Sequence, residues 1–477
     1  MRWIFLSLFL LHSFSSSGQN YRSSLGANSS FRVEMGLKGT LTKRLTTGAK
    51  AGDEVEVRRI FVDPTGYHAI NLTANGKVFK APLRRANTIQ FRASNLKDFW
   101  KIQALQSGVY SHMIKNGLQK NLRTELGKEA YDYIETLDNS GLLLEDDYLE
   151  SYLQGLAFRV MPDPLDDGRP GSVRVKVVMD YKPNAFMFPN GMMFLTTGLL
   201  STMSSEEELL AVMAHEVAHF AEDHSMQNIN TTMQRTRRAL FWSSIATLAA
   251  ASAEIYMTTQ DETYQAGGLT QVTASLSTEI ASRINERMGL TYTQQQEFEA
   301  DKSATELLEM IKVNPMALAS ALKRIKRHNL KMDISNHYNP STHPNINLRI
   351  SKISGPAERF NDSAYIARMA MVNSMNAQLA FYERQYAVSI HFAHKNFGTR
   401  LATENDYLLV AKSLMKQYNT PEKNQEALFV IQQAKDTDFL PSFELFKQEG
   451  LLYLRLEKEA EAKESFHKYL NFLEQSR

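Results

Sequence analysis

The chain of 477 residues contains no cysteine. That absence excludes disulfide bonds, thiol nucleophiles, thiolate zinc sites and a lipidated mature N-terminal cysteine. An excess of charge of one sign is missing as well. Lys and Arg number 54 against 52 Asp and Glu, a net +2 with no long basic run, so the chain lacks the electrostatic footprint of a nucleic-acid-binding protein. Nor do the apolar runs reach far: Trp3–Leu11 and Ala239–Ala253 both fall short of the ~20 residues that span a bilayer comfortably. What is present is 43% hydrophobic content over a length that predicts two to four domains with sizeable cores.

The N-terminus has Arg2, an apolar run, then small polar residues ending at Ser15-Ser16-Ser17-Gly18. This is the pattern of a secretory signal over residues 1–18, removed after Ser17 or Gly18. Export combined with absent cysteine fits a bacterial periplasm. Residues 19–95 follow as a β-rich module: Val55–Val62 and Tyr67–Thr73 read as strands, and Asn75-Gly76 as a tight turn before Lys77-Val78-Phe79. Helical character begins near Leu96, and Asp147–Arg159 is amphipathic. Val173–Met179 alternates as a strand, Pro183-Asn184-Ala185-Phe186 breaks it, and Asn190-Gly191 turns into Met192–Gly198, so two strands are expected there. Phe186–Thr196 is the candidate sheet edge for holding a peptide by strand addition, the alternative being an ordinary core hairpin. The Ala-rich stretch Ala239–Ala253 reads as a buried or lid-forming helix; with Arg235, Arg237 and Arg238 before it, peripheral membrane contact is the other reading.

The most informative stretch is His215-Glu216-Val217-Ala218-His219, H-E-x-x-H inside an apolar helical pattern. Residues four apart share a helix face, so the two imidazoles can meet one metal ion, while Glu216, about 100° round from His215, can reach a water beside it. Ser204 or Ser205 caps this helix, and Glu206, Glu207 and Glu208 complement its dipole. Two buried histidines satisfied by hydrogen bonds are the plain alternative, but a divalent cation compensates their desolvation directly. A third ligand is needed. Position 225 is Ser and 222 is Glu, so no further His lies where a metzincin has one; His224 is off the metal-facing line and fits a structural or supporting place. On a second helix Glu297 and Asp301 share a face, whereas Glu299 points about 200° away. Glu297 is the ligand of choice, and Asp301 can hold the other N–H of a zinc-bound imidazole.

HEVAH, the later Glu297-Phe298-Glu299-Ala300-Asp301, the Asn184–Phe186 to Gly198–Leu200 segment, and Thr342-His343-Pro344 with Arg349-Ile350 together resemble the HtpX and CAAX-prenyl-protease family of gluzincins. With the signal segment and C-terminal repeats, the chain is similar to the soluble BepA-like periplasmic metalloproteases. The resemblance covers about Asp147–Ile350 and implies a mainly helical metalloprotease domain with a small β-sheet over residues 96–355, in an α+β chain. It implies one Zn²⁺ held by His215, His219 and Glu297, Glu216 as general base, and Asp301 supporting. His343 matches a His that approaches the metal or the oxyanion, and Arg349 the Arg that accompanies it. Asn190 departs from the family, many of whose members carry Gly there, and the membrane spans of the integral-membrane members are missing.

Residues 356–477 read as helical. Phe446, Gly450, Tyr453, Ala462, Phe466 and Tyr469 fall where a tetratricopeptide (TPR) helix pair places its packing residues, with Tyr418, Ala427 and Ala434 as an earlier set; a plain helical bundle is the alternative. The sequence thus predicts a secreted zinc endopeptidase that hydrolyses peptide bonds in protein or peptide substrates and serves envelope protein quality control. The competing reading is a chaperone or assembly factor that binds envelope proteins through its repeats, with its proteolysis latent because His343 covers the zinc.

Overall fold

The computed structural model describes residues 32–229, 288 and 290–475, apart from 46–47, 63–67, 116, 140, 170–172, 333–342, 344, 354, 356–359, 398 and 437–440. The signal segment and Ala239–Ala253 lie outside the described residues. Strict alternation shapes the first unit. Strand β1 (Arg32–Leu41) buries every second residue from Val33 to Leu41. It joins β2 (Glu54–Val62), β3 (His68–Ala74), β4 (Lys77–Pro82) and β5 (Ile89–Arg92) in an antiparallel sheet of order β4-β3-β2-β1-β5. Asn75 and Gly76 both take left-handed backbone (φ 49° and 74°), as a two-residue hairpin turn between twisted strands requires. Ile102 and Leu105 of α1 (Leu96–Gln106) and Val109 and Tyr110 of α2 (Val109–Lys115) close the core beneath this sheet.

A second sheet lies beside the HEVAH helix. Its order is β6 (Leu143–Leu144), β7 (Arg174–Val178), β9 (Met192–Thr196), β8 (Ala185–Met187), with β7 and β9 parallel and the other pairs antiparallel. The expectation of two strands is corrected here: the segment after Pro183 is itself a strand, and β8, not β9, forms the edge. Phe188 N–H donates to Met192 O at 2.8 Å and Gly191 N–H to Phe188 O at 3.0 Å, which closes the turn at Asn190-Gly191. Both faces of the sheet are covered. Val175, Val177, Ala185, Met187, Met193 and Leu195 face the main core, while Val178, Phe186, Phe188, Met192 and Phe194 face Tyr133 of α3 (Gly117–Asn139). A strand buried on both sides shows no polar alternation, which is why β8 reads as a break.

The main core is built by α4 (Asp147–Val160), that sheet, α5 (Thr197–Thr202), α6 (Glu206–Ala221), α8 (Gln294–Met310) and α9 (Met316–Lys331). Helix α7 (His224–Asn228) follows α6 directly, and α10 (Ile346–Lys352) and α11 (Ser363–Arg368) come after α9. Three consecutive helix pairs complete the chain: α12 (Ala370–Tyr382) with α13 (Tyr386–Phe397), α14 (Glu404–Gln417) with α15 (Pro421–Lys435), and α16 (Phe443–Arg455) with α17 (Glu459–Gln475). In the last pair Gly450 lets α17 come close, since a Cβ there would sit 2.7 Å from the Phe466 ring. The fold is mixed α+β and mainly helical. Among the described residues no helix is long and apolar enough to cross a membrane.

Candidate metal centre

Helix α6 is fixed at both ends. At its start the Ser205 side chain accepts from Glu208 N–H, and buried Glu208 in turn takes Ser204 N–H (2.7 Å), Ser320 Oγ (2.6 Å) and Arg324 Nε (2.6 Å). At its end Arg169 Nη1 donates to the Phe220 and Ala221 carbonyls at 2.6 and 2.9 Å, while Asp167 neutralises the guanidinium. Helix α8 begins with a reciprocal cap between Thr293 and Gln296, one residue ahead of Glu297. These anchors hold two helices rigidly enough to fix side chains against each other.

Between them four donors meet. His215 Nε2 and His219 Nε2 are 3.1 Å apart, and Glu297 Oε1 is 3.3 Å from His219 Nε2. His343 Nδ1 is 3.0 Å from Glu297 Oε1 and 3.5 Å from His215 Nε2. Each ligand histidine is engaged on its other nitrogen: His215 Nδ1 lies 3.0 Å from Asp301 Oδ1, and His219 Nδ1 lies 2.9 Å from His224 Nδ1. Arg349, almost wholly buried, spans both acids of α8, with Nη1 2.6 Å from Glu297 Oε2, Nε 2.8 Å from Asp301 Oδ2 and Nη2 2.7 Å from Asp301 Oδ1. Glu216 Oε1 is 3.6 Å from His343 Nε2, and its Oε2 is buried with no hydrogen-bond partner among the described residues.

The charge states match this geometry. Burial holds His219 well below the usual imidazole range and His215 below it, so both rings are neutral and offer lone pairs. Burial would raise the Glu297 carboxyl, but His343 and Arg349 outweigh it and keep Glu297 ionised. Burial also opposes a charge on His343, yet Glu297 and Glu216 draw its pKa upward. Glu216, by contrast, is pushed by burial up to about 7, the range suited to a group that takes and returns a proton near neutral pH. With each ring protonated on Nδ1, toward Asp301 and His224, the two Nε2 lone pairs face one another across 3.1 Å, an arrangement that a cation between them relieves. Two imidazoles and a carboxylate with a further position for exchange is a donor set of catalytic zinc.

Residues 145–357 match the model of Peptidase family M48. This stretch is similar to the M48 peptidases. Over this part the chain is similar to the putative beta-barrel assembly-enhancing protease of Vibrio cholerae serotype O1, 29% identical over 173 residues, 36% of this chain and 31% of that protein. It is also similar to the mitochondrial metalloendopeptidase OMA1 of Schizosaccharomyces pombe, 30% identical over 177 residues (37% and 44%). The metalloprotease LoiP of Escherichia coli K12 is 27% identical over 162 residues (34% and 54%). The aligned part thus spans between about a third and half of these relatives' lengths.

The structure brings His215, Glu216, His219, Glu297, Asp301, His343 and Arg349 into one site, and adds contacts that spacing alone did not reveal. Tyr292 stacks on His219 with ring centroids 3.6 Å apart, and its hydroxyl meets Ser225 Oγ at 3.1 Å. His224 Nε2 faces Glu222 Oε2 at 3.3 Å and Glu299 Oε2 at 3.4 Å. When His219 coordinates through Nε2, its proton sits on Nδ1 and is donated to His224 Nδ1, which places the His224 proton on Nε2 between the two carboxylates. A carboxylate–His–His chain therefore stands behind the ligand. The sequence placed His224 only in a supporting role; its contact with Glu299 across two elements carries no signal in the spacing.

Proposed function

We propose that this chain is a zinc-dependent endopeptidase that acts on protein substrates in the periplasm and serves envelope quality control. The observation that carries this reading is the convergence of His215 Nε2, His219 Nε2 and Glu297, with Glu216 buried alongside, its Oε2 unpartnered among the described residues. A bound Zn²⁺ supplies Lewis acidity and makes water nucleophilic near neutral pH. His215, His219 and Glu297 would hold it, with Asp301 and His224 fixing the two imidazole tautomers. Glu216 takes the proton of the attacking water and hands it to the leaving amine. Arg349 is committed to Glu297 and Asp301, so in this mechanism it positions the ligand carboxylate, and His343 is the side chain available to steady the oxyanion. The edge of β8, which pairs with no further strand among the described residues and lies beside α6, is suited to hold a substrate backbone by strand pairing.

Replacing Glu216 with Gln should leave zinc bound and lower casein hydrolysis by about 10²–10⁴-fold, the usual worth of a positioned general base. Undiminished cleavage by the purified variant, or equal cleavage with and without chelator, would refute the assignment.

A second reading has its own observation. His343 lies within 3.5 Å of both Glu297 and His215, inside the ligand group. As a fourth donor it would cover the zinc at rest, leaving a latent protease in which the three C-terminal helix pairs, as TPR-like repeats, bind envelope partners and support their assembly. Relatives named for enhancing beta-barrel assembly lend this weight. Under this reading His343→Ala raises casein hydrolysis; an unchanged or lower rate argues against it.

A further inference from the structure

A cavity of about 440 Å³ opens directly onto His215 and Glu216. Its walls are apolar: Leu199 from α5, Val212 from α6, and Leu318, Leu322 and Ile325 from α9. Ala185, the first residue of β8, and Asn184 just before it line the same space, so a chain lying along that edge passes the cavity as it reaches Glu216. Two large apolar side chains stand exposed at the mouth, Leu330 at 64% and Leu348 at 42%. Exposed leucines beside an apolar recess next to reactive groups mark a surface that something apolar covers in use.

We infer that this cavity selects substrates by taking a large apolar side chain, Leu, Met or Phe, from a residue next to the scissile bond. The inference rests on the endopeptidase reading and adds the class of peptide cleaved. A strand held at an edge sends alternate side chains to opposite sides, so one side chain near the bond enters the cavity while its neighbours face away. Lys326, His343 and Arg349 also line the cavity, but Arg349 is held by Glu297 and Asp301 and His343 by Glu297, and the aliphatic walls offer an acidic or basic group little compensation for its lost hydration. Such residues extend along unfolded or unassembled chains, where they are uncovered, and are hidden in folded ones.

The test compares wild type, Ile325→Trp and Glu216→Gln, each checked for zinc content and melting temperature. Ile325 is half-buried, so the larger ring narrows the cavity without being forced into the closed core. Cleavage sites in unfolded casein, mapped by mass spectrometry, should be enriched for Leu, Met or Phe at one fixed position beside the bond. With peptides differing only there, Leu or Phe should exceed Ala by at least about tenfold in kcat/KM, as apolar pockets discriminate. Ile325→Trp should erase that preference while cleavage beside Ala persists. Efficient cleavage without enrichment, or an unchanged preference in Ile325→Trp, overturns the inference and leaves the peptidase reading intact. Binding of the same fluorescent peptides to Glu216→Gln decides the matter without hydrolysis. If wild type cleaves nothing, the peptidase reading fails, whereas tighter binding of the Phe peptide that is lost on adding Ile325→Trp still supports the cavity; equal binding of Phe and Ala peptides refutes it.

Discussion

Replacing His224 with Leu removes the acceptor behind His219 while keeping an apolar body in its place. In the metal-bound protein His219 Nδ1–H then has no partner, because the ring is fully buried and its remaining neighbour there, Tyr292, covers only its face. A buried donor left unpaired costs about 1–3 kcal/mol. Loss of an outer partner of a metal-bound histidine weakens metal affinity by about 10–100-fold, or roughly 1.4–2.8 kcal/mol. The two figures agree. The cost falls mainly on the loaded state, since the metal-free protein can move the His219 proton to Nε2, which faces Glu297 Oε1 at 3.3 Å. Competition with a chromophoric chelator should therefore show a Kd for zinc raised about 10–100-fold in His224→Leu. The zinc-stripped forms should melt much more nearly alike than the loaded ones. His224→Gln, which restores an acceptor oxygen, should recover part of the affinity. A His224→Leu affinity within twofold of wild type, or a Gln variant no better than Leu, would refute the carboxylate–His–His chain.

Arg349→Lys should also weaken zinc by about 10–100-fold, because an ammonium cannot span Glu297 and Asp301 as the planar guanidinium does; an unchanged Kd would count against its positioning role. Gly198→Ala should destabilise by about 1–3 kcal/mol through overpacking, since a Cβ there would lie 2.2 Å from the Tyr181 carbonyl oxygen; denaturant melts equal to wild type would contradict the close approach. Glu383 accepts from Tyr181 Oη at 2.8 Å, and burial pushes its carboxyl up from 4.5 to about 7. The folded chain then binds the proton more tightly than the unfolded one. This group costs nothing below about pH 4.5, stability falls as pH rises to about 7, and the full cost remains above. Glu383→Gln should therefore melt higher than wild type at pH 8 and equally at pH 4; the reverse order would show the sign to be wrong.

How much could be read in advance depended on how local each signal was. His215, Glu216 and His219 were legible because helical spacing alone sets their geometry, and the cap at Ser205 is written in adjacent residues. Glu297 and Asp301 were readable as a pair by the same i,i+4 rule. Strand β8 was not, since three residues buried on both faces carry neither alternation nor length. The parallel pairing of β7 with β9 was hidden too, because periodicity gives a strand's faces and not its neighbours. Tyr292 and Glu222 reach the site through contacts between α6, α7 and the approach to α8, and no spacing within one element encodes them. His343 and Arg349 had only a resemblance to place them; the structure adds what they touch.

Helix α5 has two sides with different duties. Leu199 walls the substrate cavity, while Thr197 O and Ser201 Oγ accept from Asn376 Nδ2 of α12 at 2.9 and 2.8 Å, and Ser201 O accepts from Lys395 of α13. Tyr365 Oη of α11 donates to Leu200 O at 2.7 Å. The first helical pair is thus bolted to the back of a cleft wall. Truncating the helical pairs to obtain a minimal protease would strip α5 of its backing and deform the cleft, so a truncated chain's lost activity would say nothing about where partners dock. Conversely, any protein that shifts α12 or α13 by docking on the array leans on the same wall the substrate touches.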